Sequence, residues 1–148
     1  MESIIKGNTN KSNLKKRTLA SIVDYGFFLS ITFAYVMYFG EPDGEGGYSV
    51  KGLLALVVPI AWFLYFVVIE TINEATLGHQ AFNLSVKTEN GKPISLKQSF
   101  KRHLLDPIDI FMFGIPARIA IKNSDKNQRL GDMWAKTIVI DLEDKEQI

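Results

Sequence analysis

The chain has no cysteine, which excludes a disulfide framework and any thiolate metal site and leaves the redox compartment unmarked. Its two histidines, His79 and His103, are too few and too far apart in sequence to suggest a metal centre, so neither a metal nor a cofactor is expected. There is no glycine-rich phosphate loop, no zinc-protease helix and no Gly-x-Ser-x-Gly elbow, and no nucleophile and base appear together; the chain does not read as an enzyme. Residues 125–132 follow a calcium loop only in passing, because Arg129 stands at a ligand position and the glycine comes one place late. Charge is also missing locally: residues 18–39 carry one charged side chain, Asp24, and residues 53–69 carry none.

Those two charge-poor runs are what the sequence offers in place of motifs. The first has 22 residues, which as a helix rises about 33 Å against a hydrocarbon thickness of ~30 Å. The second is extendable to Ile72 and holds Pro59, tolerable in a membrane helix and a source of a kink, with Trp62 and Tyr65 adding polar edges. A cleavable signal peptide fits the first run poorly, since the run is too long, carries Asp24 and ends in bulky Tyr38 and Phe39. The expected fold class is therefore a membrane α-helical protein. A basic tail (1–16) precedes a membrane domain (17–140) with spans at 18–39 and 53–72, and an acidic tail (141–148) follows.

Lys6, Lys11, Lys15, Lys16 and Arg17 precede the first span, whereas the turn-rich loop 40–52 has Glu41, Asp43 and Glu45 against Lys51. An excess of Lys and Arg marks the cytoplasmic side, so the N-terminus is expected inside a cytoplasmic (inner) membrane that the chain crosses more than once. Lys87, Lys92, Lys97, Lys101 and Arg102 then fall on the same side. These lysines read as orientation signals and anionic-lipid contacts, and no nucleic-acid partner is expected. Within this stretch residues 82–86 alternate apolar and polar, residues 89–93 supply a hairpin turn before Ile94, and the β-branched run 136–140 is a plausible partner for 82–86 in a small cytoplasmic sheet. Residues 95–105 read as a helix capped by Ser95.

Residues 104–121 are apolar but hold Asp106, Asp109, Arg118, Pro107, Gly114 and Pro116, and their longest uncharged stretch has 8 residues. A full crossing would also place Lys122, Lys126 and Arg129 outside, against the charge rule. A broken or re-entrant hairpin, or an interfacial helix, is favoured, with a straight third span as the alternative.

Asp24 is the residue to explain. A carboxylate near the middle of a membrane helix costs roughly 2.5 to 3.5 kcal/mol, less at a depth of about 10 Å, and so needs a partner. Arg17 lies seven residues earlier on nearly the same helix face, but is expected to snorkel to the headgroups, with Glu70 of the second span at a similar depth. Arg118 is left as the donor for Asp24. Plainer readings give Glu70 and Glu74 a solvated helix end, Asp106 and Asp109 the start of a helix or the interface, Asp132 a cap on a helix beginning at Met133, and both histidines a surface or interfacial place.

Arg17 opening the first span, Asp24 inside it, Ala75-Thr76-Leu77-Gly78 after the second, the strand 82–86 with Asn90-Gly91, Arg102, and Arg129-Leu130-Gly131-Asp132 followed by Thr137-Ile138-Val139 together resemble the RDD family of bacterial membrane proteins, over roughly residues 16–140. The resemblance implies that Arg17, Asp24 and Asp132 are the arginine and two aspartates for which the family is named. His79 departs from the lysine usual after Thr-Leu-Gly. The family's function is largely unsettled; transport of unidentified ligands and, for some members, sodium/proton exchange are suggested.

Two expectations stand side by side. One is transport of a cation, a proton or a small solute, with Asp24, Arg17, Asp132 and Arg118 as the site and Glu70, Asp109, Arg102 and Arg129 in support. It requires a homo-oligomer or a partner membrane subunit, because two spans and a hairpin do not enclose a pathway. The other is a non-catalytic scaffold whose charged residues are structural and whose cytoplasmic sheet binds a partner.

Overall fold

The computed structural model describes residues 13–44 and 46–143, except for the side chains of residues 110–113. The basic tail expected at 1–16 therefore lies mostly outside the described residues, as do Glu45 and the last five residues of the acidic tail.

Helix α1 (Leu14–Phe39) carries buried side chains on one face only, Arg17, Ala20 and Asp24, spaced three and four residues apart so that they stack on a 3.6-residue helix. Its other faces leave Ile22, Phe33 and Tyr38 62%, 68% and 81% exposed, an apolar surface that a water-soluble chain would have to cover. The short strands β1 (Glu41–Pro42) and β2 (Tyr48–Ser49) pair antiparallel in the connecting loop. The second apolar helix runs over Gly52–Asn73: a 3₁₀ start (Gly52–Leu56), α2 (Val57–Trp62), a π-helical stretch (Phe63–Val68) and α3 (Ile69–Asn73). The π stretch begins four residues after Pro59, which has no N–H to give, and it brings Phe66 and Val67 into the interior. Both helices are long and apolar enough to cross a bilayer.

Glu74 takes a left-handed φ of 58° and ends this helix. Thr76 then caps the short helix α4 (Leu77–Ala81), which lies against α1 so closely that a Cβ on Gly78 would come within 2.2 Å of the Ala20 carbonyl oxygen. Strand β3 (Leu84–Thr88) pairs antiparallel with β4 (Thr137–Asp141), Val86 opposite Val139, as the β-branched runs lead one to expect. Leu84, Val86, Ile94 and Val139 pack with Ala20 of α1 into one apolar cluster. The turn after β3 forms, with Gly91 N–H on the Thr88 carbonyl at 2.8 Å, yet Ile94 does not begin a second hairpin strand. The edge of β3 on which the Thr88 N–H meets the Lys92 carbonyl is taken farther along by the Glu74 carbonyl, which accepts the Val86 N–H at 2.6 Å, and the chain turns instead into α5 (Leu96–Leu104), whose Ser95 and Gln98 form a capping box.

Helix α6 (Asp106–Asn123) covers the ambiguous segment. Gly114 sits at φ +77° in its middle, a left-handed residue that breaks the regular path, with Pro116 two residues later. Helix α7 (Leu130–Ala135) follows and packs on α5.

Candidate functional site

Asp24 is 2% exposed, and its partners come from the second apolar helix and from α4. Tyr65 donates its hydroxyl to Oδ1 at 3.0 Å, the Gly78 N–H donates to the same oxygen at 2.7 Å, and the Thr76 hydroxyl donates to Oδ2 at 2.5 Å. Arg118 is not among them. It is exposed, one turn beyond the left-handed Gly114, and the donor role expected of it is taken by neutral hydroxyls and a backbone N–H. Thr76 Oγ1 also lies 2.7 Å from His79 Nδ1, which is 3.6 Å from Asp24 Oδ2. A hydroxyl has one proton and here it goes to Asp24, so Nδ1 of His79 must be the nitrogen that bears a hydrogen and donates to Thr76. Burial holds the His79 imidazole below its ordinary range, outweighing the hydrogen bond to Asp24 and the charge of Glu70, so the ring is neutral at pH 7.

A second cluster centres on Arg102, fully buried. Its Nε and Nη2 each reach an oxygen of Glu70 at 3.2 Å, a two-pronged contact, and its Nη1 donates to Asp132 and, at 3.3 Å, to Thr137. Asp132 then accepts Arg17 on its other oxygen at 2.5 Å, while Arg17 gives its Nη1 to the Asn127 carbonyl at 2.6 Å. Arg17 therefore does not snorkel. It is 5% exposed because a buried carboxylate from the far end of the chain meets it, and Glu70, its expected neighbour, is committed to Arg102. Glu70 is correspondingly no solvated helix end; it is fully buried and also accepts Ser99 Oγ at 2.7 Å. Burial alone would push the Asp132 carboxyl up, but Arg102, Arg17 and Arg129 hold it well below the usual carboxylate range. Asp132 lies in the first turn of α7 rather than ahead of it, accepting the Arg129 N–H at 3.1 Å.

A third cluster joins α6 to the rest. Arg129 reaches Asp106 at 2.8 Å and lies 3.8 Å from Asp109 and 3.5 Å from Asp132. Asp109 accepts the N–H groups of Leu130 and Gly131 at 3.2 and 3.0 Å, and Tyr25 of α1 donates to Asp106. His103 is buried between two acids, with Nδ1 2.6 Å from Asp106 and Nε2 3.2 Å from Glu70. Burial works against its charge, but the two carboxylates prevail and its pKa is pushed up to about 9. Neither histidine is at the surface, as sequence alone suggested, because each lies beside a buried carboxylate that recruits it.

The three arginines and protonated His103 face five carboxylates, Asp24, Glu70, Asp106, Asp109 and Asp132, all buried, which leaves the network one negative charge in excess. Of the residues expected to form the site, the structure joins Arg17, Asp132, Arg102, Glu70, Arg129 and Asp109 and sets Asp24 beside them with its own donors. The sequence reading missed Tyr25, Tyr65, Thr76, His79, Ser99 and His103. Two of them left a signal, Tyr65 as a polar edge on the second apolar run and Thr76 within Ala75-Thr76-Leu77-Gly78.

Between α1 and α6 a cavity of about 310 Å³ opens, with Arg17, Tyr25, His79, Asp109, Arg118 and Arg129 on its wall among apolar side chains such as Leu14, Ile22 and Ile121.

Two exposed apolar helices tied at one end by a buried ion-pair network define a helical membrane protein. The sequence model of the RDD family matches residues 11–136, and the chain belongs to that family. No curated protein and no solved structure matches it.

Proposed function

We propose that the chain is a non-enzymatic membrane transport module that carries a proton or a monovalent cation, with Asp24 as the group that changes protonation. The observation that supports this is the hydrogen-bonded line from His79 Nδ1 through the Thr76 hydroxyl to the Asp24 carboxylate, of which His79 lies on the cavity wall. A neutral imidazole joined through a hydroxyl to a carboxylate is a proton relay. The network's excess negative charge leaves room for one added proton. Three arginines on the cavity wall oppose a metal cation entering there, so the proton is the favoured cargo. The line does not resemble a nucleophile triad, since the hydroxyl sits between acid and imidazole and Thr76 is 1% exposed.

In this reading the N-terminus is cytoplasmic in the inner membrane, Gly52–Asn73 returns the chain to that side, and the broken helix α6 stays at the cytoplasmic interface, in line with its charges. Two crossings enclose too little for a pathway, so the working form is a homo-oligomer or includes a partner subunit. Purified protein in sealed vesicles with an imposed pH or sodium gradient tests it. Flux lost in Asp24→Asn supports the reading, and a stable monomer without flux defeats it.

A second reading, a scaffold whose network is structural and whose β3–β4 sheet meets a partner, draws on one observation. Both Asp24 oxygens are already engaged by donors from two other elements, as a tie between helices requires.

A further inference from the structure

Helices α5 and α7 are arranged inside out for a surface in water. Both bury their polar side: Ser99, Arg102 and His103 lie on the inner face of α5, and Gly131, Asp132 and Ala135 on that of α7. Both leave apolar side chains outside. Leu96, Phe100 and Leu104 recur every four residues along α5 and so share one face, and Leu130, Met133 and Trp134 stand out from α7. Each of the six is between 38% and 48% exposed. The two rows form one patch, because the helices pack on each other and the Lys101 ammonium lies 5.1 Å from the centre of the Trp134 ring. Phe100 in turn meets Trp62 and Phe63 of the second apolar helix, with ring centres 6.4 and 6.2 Å apart. The apolar surface of a bilayer-length helix is therefore continued onto α5 and α7.

We propose that the α5–α7 face is seated in an anionic lipid leaflet, with its apolar rows among the upper acyl carbons and Lys97 and Lys101 at the phosphates. Continuity with the second apolar helix supplies the apolar half of the argument, and charge supplies the other. Lys97 is exposed and Lys101 half-buried, and neither forms an ion pair among the described residues. The only carboxylate on α5 or α7, Asp132, is buried. A second copy docked face to face would bring these lysines together with no acid to meet them, which disfavours self-association here. An anionic headgroup supplies the missing counter-charge. Lysine stems that carry their charge past an apolar rim, with a tryptophan beside them, suit the boundary between hydrocarbon and headgroup. The inference does not rest on the transport reading, since it concerns the outer faces of α5 and α7 and involves neither Asp24 nor the cavity.

The chain has two tryptophans, Trp62 and Trp134, so Trp62→Phe leaves Trp134 as a single reporter on this face. The test reconstitutes that full chain into vesicles of phosphatidylcholine and phosphatidylglycerol, with bromine on the acyl chains of one lipid or the other, and measures quenching of Trp134. Brominated lipid should quench it more than aqueous acrylamide does, and phosphatidylglycerol should be preferred to phosphatidylcholine. Lys97→Gln and Lys101→Gln together should cut that preference by at least about fivefold, the worth of one lysine near an anionic surface. Lys92→Gln, exposed on the turn after β3, loses a charge away from this face and should leave the preference unchanged. Met133→Cys, unique in a chain without native cysteine, gives a second reading with both tryptophans in place: a nitroxide there should be more accessible to oxygen than to a water-soluble nickel complex. Access by acrylamide and nickel but not by lipid would overturn the seating. Shielding from both, the mark of a protein cover such as a second copy, would overturn it too. Equal quenching by the two lipids, or a preference unmoved by the paired lysine changes, would overturn the anionic assignment.

Discussion

Arg17 and Asp132, 115 positions apart, meet at 2.5 Å with both side chains almost wholly buried, and the second oxygen of that carboxylate holds Arg102. The start of the first apolar helix is thus fastened to the end of the chain through one aspartate. Removing one partner of a buried pair leaves a stranded charge, at a cost of about 3–5 kcal/mol. Asp132→Ala strands two arginines and is expected to be the most damaging of the single changes. Arg17→Ala is expected to be milder, because Asp132 keeps Arg102. Thermal unfolding in detergent, with wild type alongside, measures both.

Asp24→Asn keeps the shape of the side chain but removes the charge that draws three donors. A loss of about 1.5–3 kcal/mol is expected. Its effect should be non-additive with Thr76→Val, which removes the hydroxyl donated to it, and additive with Arg118→Ala, whose side chain is not among its partners. Coupling between Asp24 and Arg118 in a double-mutant cycle would contradict the geometry described above.

Two glycines mark where backbones touch. A methyl group at Gly78 would meet the Ala20 carbonyl oxygen at 2.2 Å, and one at Gly131 would meet the Arg102 carbonyl oxygen at 2.4 Å. Neither obstacle is the end of a flexible side chain, so Gly78→Ala and Gly131→Ala should each cost at least about 1–3 kcal/mol. Gly26→Ala, which meets nothing within 4 Å, serves as the control and should be close to neutral by the same measurement.

Stability should fall on the alkaline side of neutrality. His103 has a folded pKa of about 9 against an ordinary value of 6.5, so the folded state holds its proton more tightly than the unfolded chain. The contribution is fully present below pH 6.5 and is lost as pH rises through 9, a change of up to about 3 kcal/mol. His103→Gln should flatten the curve of unfolding temperature against pH between these limits. An unchanged alkaline slope in that variant would assign the effect to another group.

The two apolar helices and the β3–β4 pairing were legible because each rests on a local signal, run length in one case and β-branched composition in the other. The charged pairs were not. Helical periodicity places Arg17 and Asp24 on one face, yet it says nothing of which distant element covers that face, and the covering is done by α4 and α7. Glu70 looked solvated because it ends the uncharged run 53–69 near the close of its helix; the π-helical turn before it and the docking of α5 bury it instead. The donors to Asp24 were missed for a different reason. Tyr65 and Thr76 are uncharged, so a search for a compensating cation passes over them, although a buried carboxylate is served as well by converging hydroxyls and an N–H.

The buried polar ties of α1 lie between Arg17 and Tyr25, with Lys16 meeting Asp141 at 2.7 Å just before them, and its aromatic contacts with the second helix run to Phe28 against Tyr65 and Phe66. Farther along, the Tyr35 hydroxyl reaches the Leu54 carbonyl at 2.9 Å, while Ile31, Phe33, Leu56 and Ile60 stay half or more exposed. The two long helices are thus fastened by buried ion pairs at one end and, at the other, by the connecting loop with its β1–β2 pair and the Tyr35 hydroxyl. Substitutions on the exposed lengths between will register in what surrounds the protein, and substitutions at the ion-paired end in whether it folds.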